Sequence, residues 1–376
     1  MKLRINKLSD KFQLGPPYIT KDELEAVNKV LTSGQLSLGK ETDKFEKEIT
    51  EFVGAKYAVA CSSGTTALHL SVIASGIKSG DEVITTPLSF VASTNCFLYE
   101  GAIPKFVDID PETLNIDVSK IEAAVTKKTK AIVGVDIFGR AAEWREILRI
   151  AKKHDLKVIE DAAEALGAKY RGKKLGSHGH LTVFAFYPNK QMTVGEGGVV
   201  TTNNKQIYHL IKGLSNQGRG RDMQWLKHEY LGFNYRMTEI QAAIGRVQLK
   251  KLDRFLKNRK QVASWYEQRL NQIEGVQLLK QDDEDHQRSW FVYLIKLDKS
   301  INRDKVIKKL KAKGIPSKAY LPAIHLQPYM KKYGYKQGDF PICEAVSNST
   351  LALPFYTGME ESTVDQVCNK LKQSLK

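Results

Sequence analysis

Four cysteines in 376 residues, Cys61, Cys96, Cys343 and Cys368, leave little room for sulfur chemistry. They stand far apart, with no C-x-x-C pair and no histidine cluster beside them. That speaks against zinc and against a disulfide framework, and it fits a reducing cytoplasm. No apolar run approaches the ~18 residues that cross a bilayer. The opening stretch MKLRINKLSDKFQLGPP is basic but lacks the apolar core and small-residue cleavage site of a signal peptide. Internal repeats and low-complexity segments are missing, and so are the G-x-G-x-x-G and Walker nucleotide signatures. Acidic residues are the scarcer charge, 42 against 58 Lys and Arg, giving a net charge of +16. Such a field favours an anionic partner: nucleic acid, an anionic membrane surface or a phosphorylated small molecule. Runs such as VTKKTKA and VIKKLKAKG nevertheless read first as solvated helix faces, because no recognition motif for nucleic acid accompanies them.

What is present is an ordinary globular composition, 42% hydrophobic and 27% charged. The length suits two domains, or one large and one small, at roughly 100–200 residues each. From about residue 20 to 250, short β-rich runs (KYAVACS, DEVITT, IPKFVDID, KAIVGVDIFG, LKVIED, HLTVFAFY, GGVVTTN) alternate with helical patterns. Nearly continuous apolar strands separated by helices predict an α/β fold with a mostly parallel sheet covered on both faces. From Thr238, TEIQAAIGRVQLKKLDRFLKNRKQVASWYEQRL keeps helical spacing for about thirty positions, long enough to link two domains. Beyond it, SWFVYLIKL, RDKVIKKLKAKG and the tail after Ser362 predict a smaller α+β unit. We place the large domain at 1–250 and the small C-terminal domain at 251–376. The Pro-, Tyr- and Gly-rich stretch YLPAIHLQPYMKKYGYKQGDFP between its elements reads as an irregular loop, and loops of that length tend to be functional.

Three stretches carry chemistry. In CSSGTTALHL a strand ends and a Ser-Ser-Gly-Thr-Thr turn opens a helix, so exposed amides and hydroxyls form either an anion site or a plain N-cap. In LKVIEDAAEALGA, Asp161 follows a buried strand at its carboxyl end, where doubly wound sheets bind ligands; the alternative is a cap on a helix AAEALGA. In FAFYPNKQMTVGEGG, Lys190 stands between an aromatic run and a glycine-rich turn. Desolvation opposes the charged form of an amine, and a neutral amine is a nucleophile that captures aldehydes. The bland alternative is a lysine whose stem packs while its head reaches water. Pyridoxal phosphate needs a phosphate cradle, an anion at its pyridine nitrogen and a lysine for its aldehyde, and residues 62–66, Asp161 and Lys190 supply them in a workable order. Phe90, in TTPLSFVAS, could stack on the ring.

At this point the sequence resembles the sugar aminotransferases of the DegT/DnrJ/EryC1/StrS family, which have the type I aminotransferase fold. The matching stretches are SGQLSLGKETDKFEKEI, SSGTTALHL, GDEVITTPLSFVAST, VIEDAAEALGA, FYPNKQMTVGEGG and LGFNYRMTEIQAAIG, with HLQPY and LALPFY further on. The resemblance implies that Lys190 forms a Schiff base with pyridoxal 5'-phosphate and serves as general acid and base. It implies that Asp161 pairs with the pyridine nitrogen, Glu164 lies near the ring hydroxyl, Phe90 stacks on the ring, and Gly64 and Thr65 hold the phosphate. Asn234, in GFNYRM, would reach the phosphate of the neighbouring subunit, making a homodimer with shared active sites. An amino donor, L-glutamate, would pass its amino group to a keto-sugar carried on a nucleotide, giving an amino sugar for surface polysaccharide or natural-product biosynthesis. Tyr187, Arg236 and His325 are the candidates for touching the sugar nucleotide; Tyr187 and His325 could instead pack, and Arg236 could pair with Glu239. No nucleic acid, membrane or metal enters this reading.

Two departures stand out. The family has Ser five residues before the lysine where this chain has Ala185, and a lost hydrogen bond to a charged group costs about 1.5–3 kcal/mol. Ser215, in GLSNQGR, stands where many relatives carry a basic residue. Rival readings are a dehydratase of the same family, whose members replace the lysine with His, a non-catalytic regulator that binds the cofactor, and a nucleic-acid-binding protein suggested by charge alone.

Overall fold

The computed structural model describes residues 12–220 and 227–375; the first eleven residues, part of the stretch expected to carry no signal peptide, lie outside them. The β-rich runs form one seven-stranded sheet: β1 (Tyr57–Cys61), β2 (Glu82–Thr85), β3 (Ile103–Phe106), β4 (Thr129–Val135), β5 (Lys157–Asp161), β6 (Leu181–Ala185) and β7 (Gly198–Thr202). The spatial order is β1-β7-β6-β5-β4-β2-β3. The strands β3, β2, β4, β5, β6 and β1 run in one direction, and β7 alone runs against them, antiparallel to both of its neighbours β6 and β1. Neighbouring residues face opposite ways, as the two-residue period of a strand requires. Ile84, Ile132 and Phe184 pack with Phe45, Ile49 and Trp144 on one face. Val83, Val133 and Val183 pack with Leu68, Leu70 and Phe97 on the other. Burial on both faces explains why these strands are apolar throughout rather than alternating.

Seven helices accompany this sheet among the described residues up to 215: α1 (Lys21–Ser33), α2 (Lys40–Val53), α3 (Gly64–Ala74), α4 (Ala92–Leu98), α5 (Val118–Ile121), α6 (Trp144–Lys153) and α7 (Lys205–Ser215). The long periodic stretch forms one helix, α8 (Glu239–Leu270), which starts at a capping box between Thr238 and Gln241. Its first half contributes Ala242, Leu249 and Leu252 to the core of the large sheet. Its second half contributes Val262, Tyr266 and Leu270 to another core. Residue 250 therefore lies within a continuous helix shared by both bodies.

The second body is a four-stranded antiparallel sheet of β8 (Val276–Leu278), β9 (Tyr293–Leu297), β10 (Lys318–Ala319) and β11 (Thr350–Leu353), in the order β8-β9-β11-β10. It packs with α9 (Arg303–Ala312) and α11 (Glu361–Leu375), while α10 (Pro341–Ser349) leads into β11. Two details differ from expectation. The stretch after Tyr320 is not wholly irregular: it holds short 3-10 turns at Ile324–Leu326 and Pro328–Tyr333. It folds back onto the large sheet, with Tyr335 Oη donating to Pro104 O at 2.8 Å. AAEALGA forms no helix. Ala165 N donates to Ala162 O and Ala168 N to Ala165 O, both at 2.9 Å, and Gly167 at φ +87° turns the chain. Successive tight turns replace the helix that Asp161 would have capped.

The turn after β4 ties the two bodies together. Phe138 and Gly139 both have left-handed backbone, at φ +54° and +82°, and Ser289 N donates to Gly139 O at 2.9 Å. A side chain on Gly139 would place its Cβ 1.8 Å from Ser289 O. Gly139→Ala should destabilise the protein by about 3 kcal/mol or more, combining strain with a backbone clash; urea unfolding reads this as a lowered midpoint at unchanged slope.

Candidate active site

The carboxyl ends of β4 and β5 and the amino end of α3 converge on a cavity of about 500 Å³. That is the edge at which an open α/β sheet binds ligands. At α3, Ser63 Oγ accepts from Thr66 N, and Thr66 Oγ1 accepts from Ser63 N. The N-cap expected as the bland alternative is therefore real, but it satisfies only part of the first turn. Gly64 and Thr65 line the cavity, and amides at these positions have no acceptor within the helix. Partial positive charge there suits an anion. Gly64 is also a packing requirement, since a Cβ on it would lie 2.6 Å from Ala185 Cβ.

Asp161 ends β5, buried at 5% exposure. Ser93 Oγ donates to its Oδ2 at 2.6 Å, and Ala163 N donates to its Oδ1 at 3.1 Å. Ser93 is in turn paired with Ser89, Oγ to Oγ, at 2.6 Å. Burial pushes the Asp161 carboxyl above its ordinary range, opposed by these donors and by the charge of Lys190. A buried carboxylate supported mainly by neutral donors is a receptor for a cation or a shared proton.

Lys190 comes from the loop joining β6 to β7. Phe186 N donates to Gly197 O at 2.9 Å, Val194 N to Phe186 O at 3.0 Å and Lys190 N to Tyr187 O at 3.0 Å, so the loop closes on itself. Its Nζ lies 3.7 Å from Glu164 Oε1 and 4.1 Å from the centroid of the Phe291 ring. Glu164 is fixed by Phe138 N, which donates to Oε2 at 3.0 Å; the left-handed turn aims that amide. Burial raises the Glu164 carboxyl, again opposed by Lys190. Phe90 and Tyr187, 61% and 51% exposed, stand on the wall of the cavity as large apolar surfaces open to solvent.

Of the residues expected from sequence, Gly64, Thr65, Phe90, Asp161, Glu164, Tyr187 and Lys190 thus line one cavity. Three do not. Asn234 is exposed on a short strip whose Tyr235 O accepts from Ser62 N at 2.7 Å. Arg236 Nη1 donates to Asn216 Oδ1 at 2.8 Å beside a smaller cavity of about 180 Å³. It does not bond Glu239, which instead accepts from Glu41 N and Thr42 N at the start of α2. The expectation for His325 is corrected: its ring is buried at 1% exposure, 3.0 Å from Glu344 Oε1 and edge-on to Phe340, away from the cavity. Sequence reasoning missed Ser89, Ser93 and Phe291. The serines sit inside the quoted TTPLSFVAS, where two hydroxyls four apart on a helical turn were a usable signal. Phe291 comes from the second body, a hundred residues after the lysine, and carries no local signal.

A family model described as the DegT/DnrJ/EryC1/StrS aminotransferase family matches residues 17–372. GDP-perosamine synthase of Caulobacter vibrioides is 42% identical over 343 residues, covering 90% of this chain and 91% of that protein. Among solved structures, DesV of S. venezuelae in complex with a ketimine intermediate superposes with a TM-score of 0.90 at 30% identity, over 95% of each chain. Spr1654 of Streptococcus pneumoniae in its PLP-form superposes with a TM-score of 0.91 at 26% identity, over 96% of this chain and 98% of that one.

The Asp161 network gives a pH prediction. A carboxyl whose folded pKa is raised supports the fold fully below its unfolded pKa and loses that support as pH rises through the folded value. Ser93→Ala removes a donor and raises the carboxyl further. The cofactor-free variant should therefore fall behind the wild type increasingly with pH, by about 1.5–3 kcal/mol at pH 8 and by less near pH 4.5. Parallel unfolding curves at the two pH values measure the difference.

Proposed function

The chain belongs to the DegT/DnrJ/EryC1/StrS aminotransferase family, and on that premise we propose that it transfers an amino group from L-glutamate to a nucleotide-linked keto-sugar, using pyridoxal phosphate. The observation that carries this reading is one cavity that holds the Lys190 amine, the buried Asp161 carboxyl and the open first turn of α3 together. The residues present fit the cofactor. The amides of Gly64 and Thr65 would take its phosphate, Asp161 its ring nitrogen, Phe90 a ring face and Lys190 its aldehyde. When bound, pyridoxal phosphate supplies an aldehyde that exchanges between amines and a ring that stores an electron pair.

The chain's own residues do the rest. Asp161, with its carboxyl destabilised as an anion by burial, keeps a proton at the ring nitrogen and gains the counter-charge it lacks. With the donor bound, Lys190 Nζ would be the base that takes the proton from the donor's α-carbon and the acid that delivers it to the cofactor's carbon. Glu164, hydrogen-bonded from Phe138 and next to that amine, holds Nζ on the reacting side. Phe291 forms an apolar floor beneath Nζ and limits water there. Glutamate would leave as 2-oxoglutarate with one water consumed and its nitrogen retained on the enzyme, and the keto-sugar would then receive that nitrogen with one water released, so the kinetics would be ping-pong.

The acting unit in this reading is a cytoplasmic homodimer with shared sites. Within one chain, the described residues lining the cavity include three carboxylates, Asp161, Glu164 and Glu196, and a single cationic side chain, Lys190. Recognition of a diphosphate calls for more positive charge, which the half-buried Arg236 of a second copy would bring, with the exposed Asn234 beside it as a neutral hydrogen-bond donor. Tyr187 is the proposed sugar contact within the chain. The intact lysine disfavours the dehydratase reading.

The test is direct. Supplied with 15N-glutamate and a panel of nucleotide keto-sugars, the enzyme should yield one 15N-amino sugar by mass. Lys190→Ala should lose at least about 10²-fold in rate. Failure on every keto-sugar with glutamate and other amino donors would overturn the reading. Mixing inactive Lys190→Ala with Asn234→Ala and letting subunits exchange should restore about a quarter of wild-type activity, since heterodimers keep one intact site.

A further inference from the structure

We propose that Arg259 is the positioning residue for Lys190: its guanidinium, sealed behind the cavity wall, fixes the amine relative to the Phe291 ring. Arg259 lies in the middle of α8, between the halves that serve the two cores, and is 3% exposed. Each of its nitrogens is used. Nε donates to Thr357 Oγ1 at 3.2 Å. Nη1 donates to Phe291 O at 3.0 Å and Trp290 O at 3.4 Å. Nη2 donates to Lys190 O at 3.3 Å. Its carbon centre lies 5.4 Å from the centroid of the Phe355 ring, which packs beside it.

Two of those carbonyls belong to the residues whose side chains meet in the cavity, where Lys190 Nζ lies 4.1 Å from the Phe291 ring. The backbone behind the amine and the backbone behind the ring are therefore held by one rigid, planar group. An ammonium could not span both, because the fork geometry belongs to guanidinium alone. No carboxylate among the described residues forms a salt bridge with Arg259. Burial pushes its pKa down to about 10, a cost with no ion pair in return. Keeping a cation there makes sense if carbonyl geometry is what the site needs. Nor does the guanidinium await a ligand: the space beside it, walled by Gln191, Thr193 and Gln248, is about 10 Å³, room for at most one water.

As a contribution to turnover this rests on the aminotransferase reading; as geometry it does not. The test is Arg259→Lys in the full chain, which keeps the charge and removes the fork. In the cofactor-free protein, Lys190 is acylated with trace acetic anhydride across pH and quantified by peptide mass. The half-buried amine should become about threefold or more reactive as its loop loosens, while lysines elsewhere label as before. In the loaded enzyme, kcat should fall about tenfold or more with KM for the amino donor nearly unchanged, the signature of a misplaced reacting group. A folded Arg259→Lys with wild-type Lys190 labelling overturns the proposal, whatever its kcat. Should that variant not fold, Thr357→Val removes only the Nε acceptor; a smaller labelling increase in the same direction supports the proposal, and wild-type labelling overturns it. A labelling change in a protein that proves to have no aminotransferase activity would retire the function and leave the positioning role standing.

Discussion

A carboxyl group buried at the end of a central parallel strand is the constraint around which this protein is arranged. Asp161 is out of water, supported by a serine hydroxyl and a backbone amide, and its anion is destabilised by burial. A fold keeps such a group where something cationic comes to meet it. Everything near it is consistent with that expectation: an open helix start for an anion, an aromatic exposed at the cavity wall, and one lysine held between a carboxylate and a ring. Together these are the complement of a flat, zwitterionic, phosphorylated ring.

The second body is needed to finish the site. Large-sheet residues supply the cradle, the carboxylates and the amine. Phe291 beneath the amine, and Tyr320 and Leu321 on the wall, come from the other side of α8. α8 joins the two cores through alternate ends of one helix, and the Gly139–Ser289 contact joins them again beside Glu164. Small relative movements of the two bodies would move Phe291 against Lys190, which gives a physical reason for locking both backbones with a single guanidinium.

Much of this was legible in the sequence, and the limits are physical. Strands buried on both faces announce themselves as apolar runs, and α8 announces itself by thirty residues of one period. Lys190, Asp161 and the turn at 62–66 each had a bland alternative, and their combination and motif context gave the chemistry away. AAEALGA misled because alanine favours helix while Gly167 and the tight turns before it follow the demands of the site. His325 misled because its motif context suggested a substrate contact, whereas Glu344, Phe106 and Phe340 enclose the ring. Phe291 and Arg259 were invisible in principle: their roles exist only once residues some seventy to a hundred positions apart are brought together.

The proposed function requires the Lys190 amine to be the place where the cofactor is held, opposite Asp161. The most direct measurement is borohydride reduction of the protein mixed with pyridoxal phosphate, followed by peptide mass mapping. The account predicts a phosphopyridoxyl adduct on the peptide containing Lys190, and its loss in Lys190→Ala. An unmodified Lys190 peptide, or an adduct spread over surface lysines alone, would contradict it.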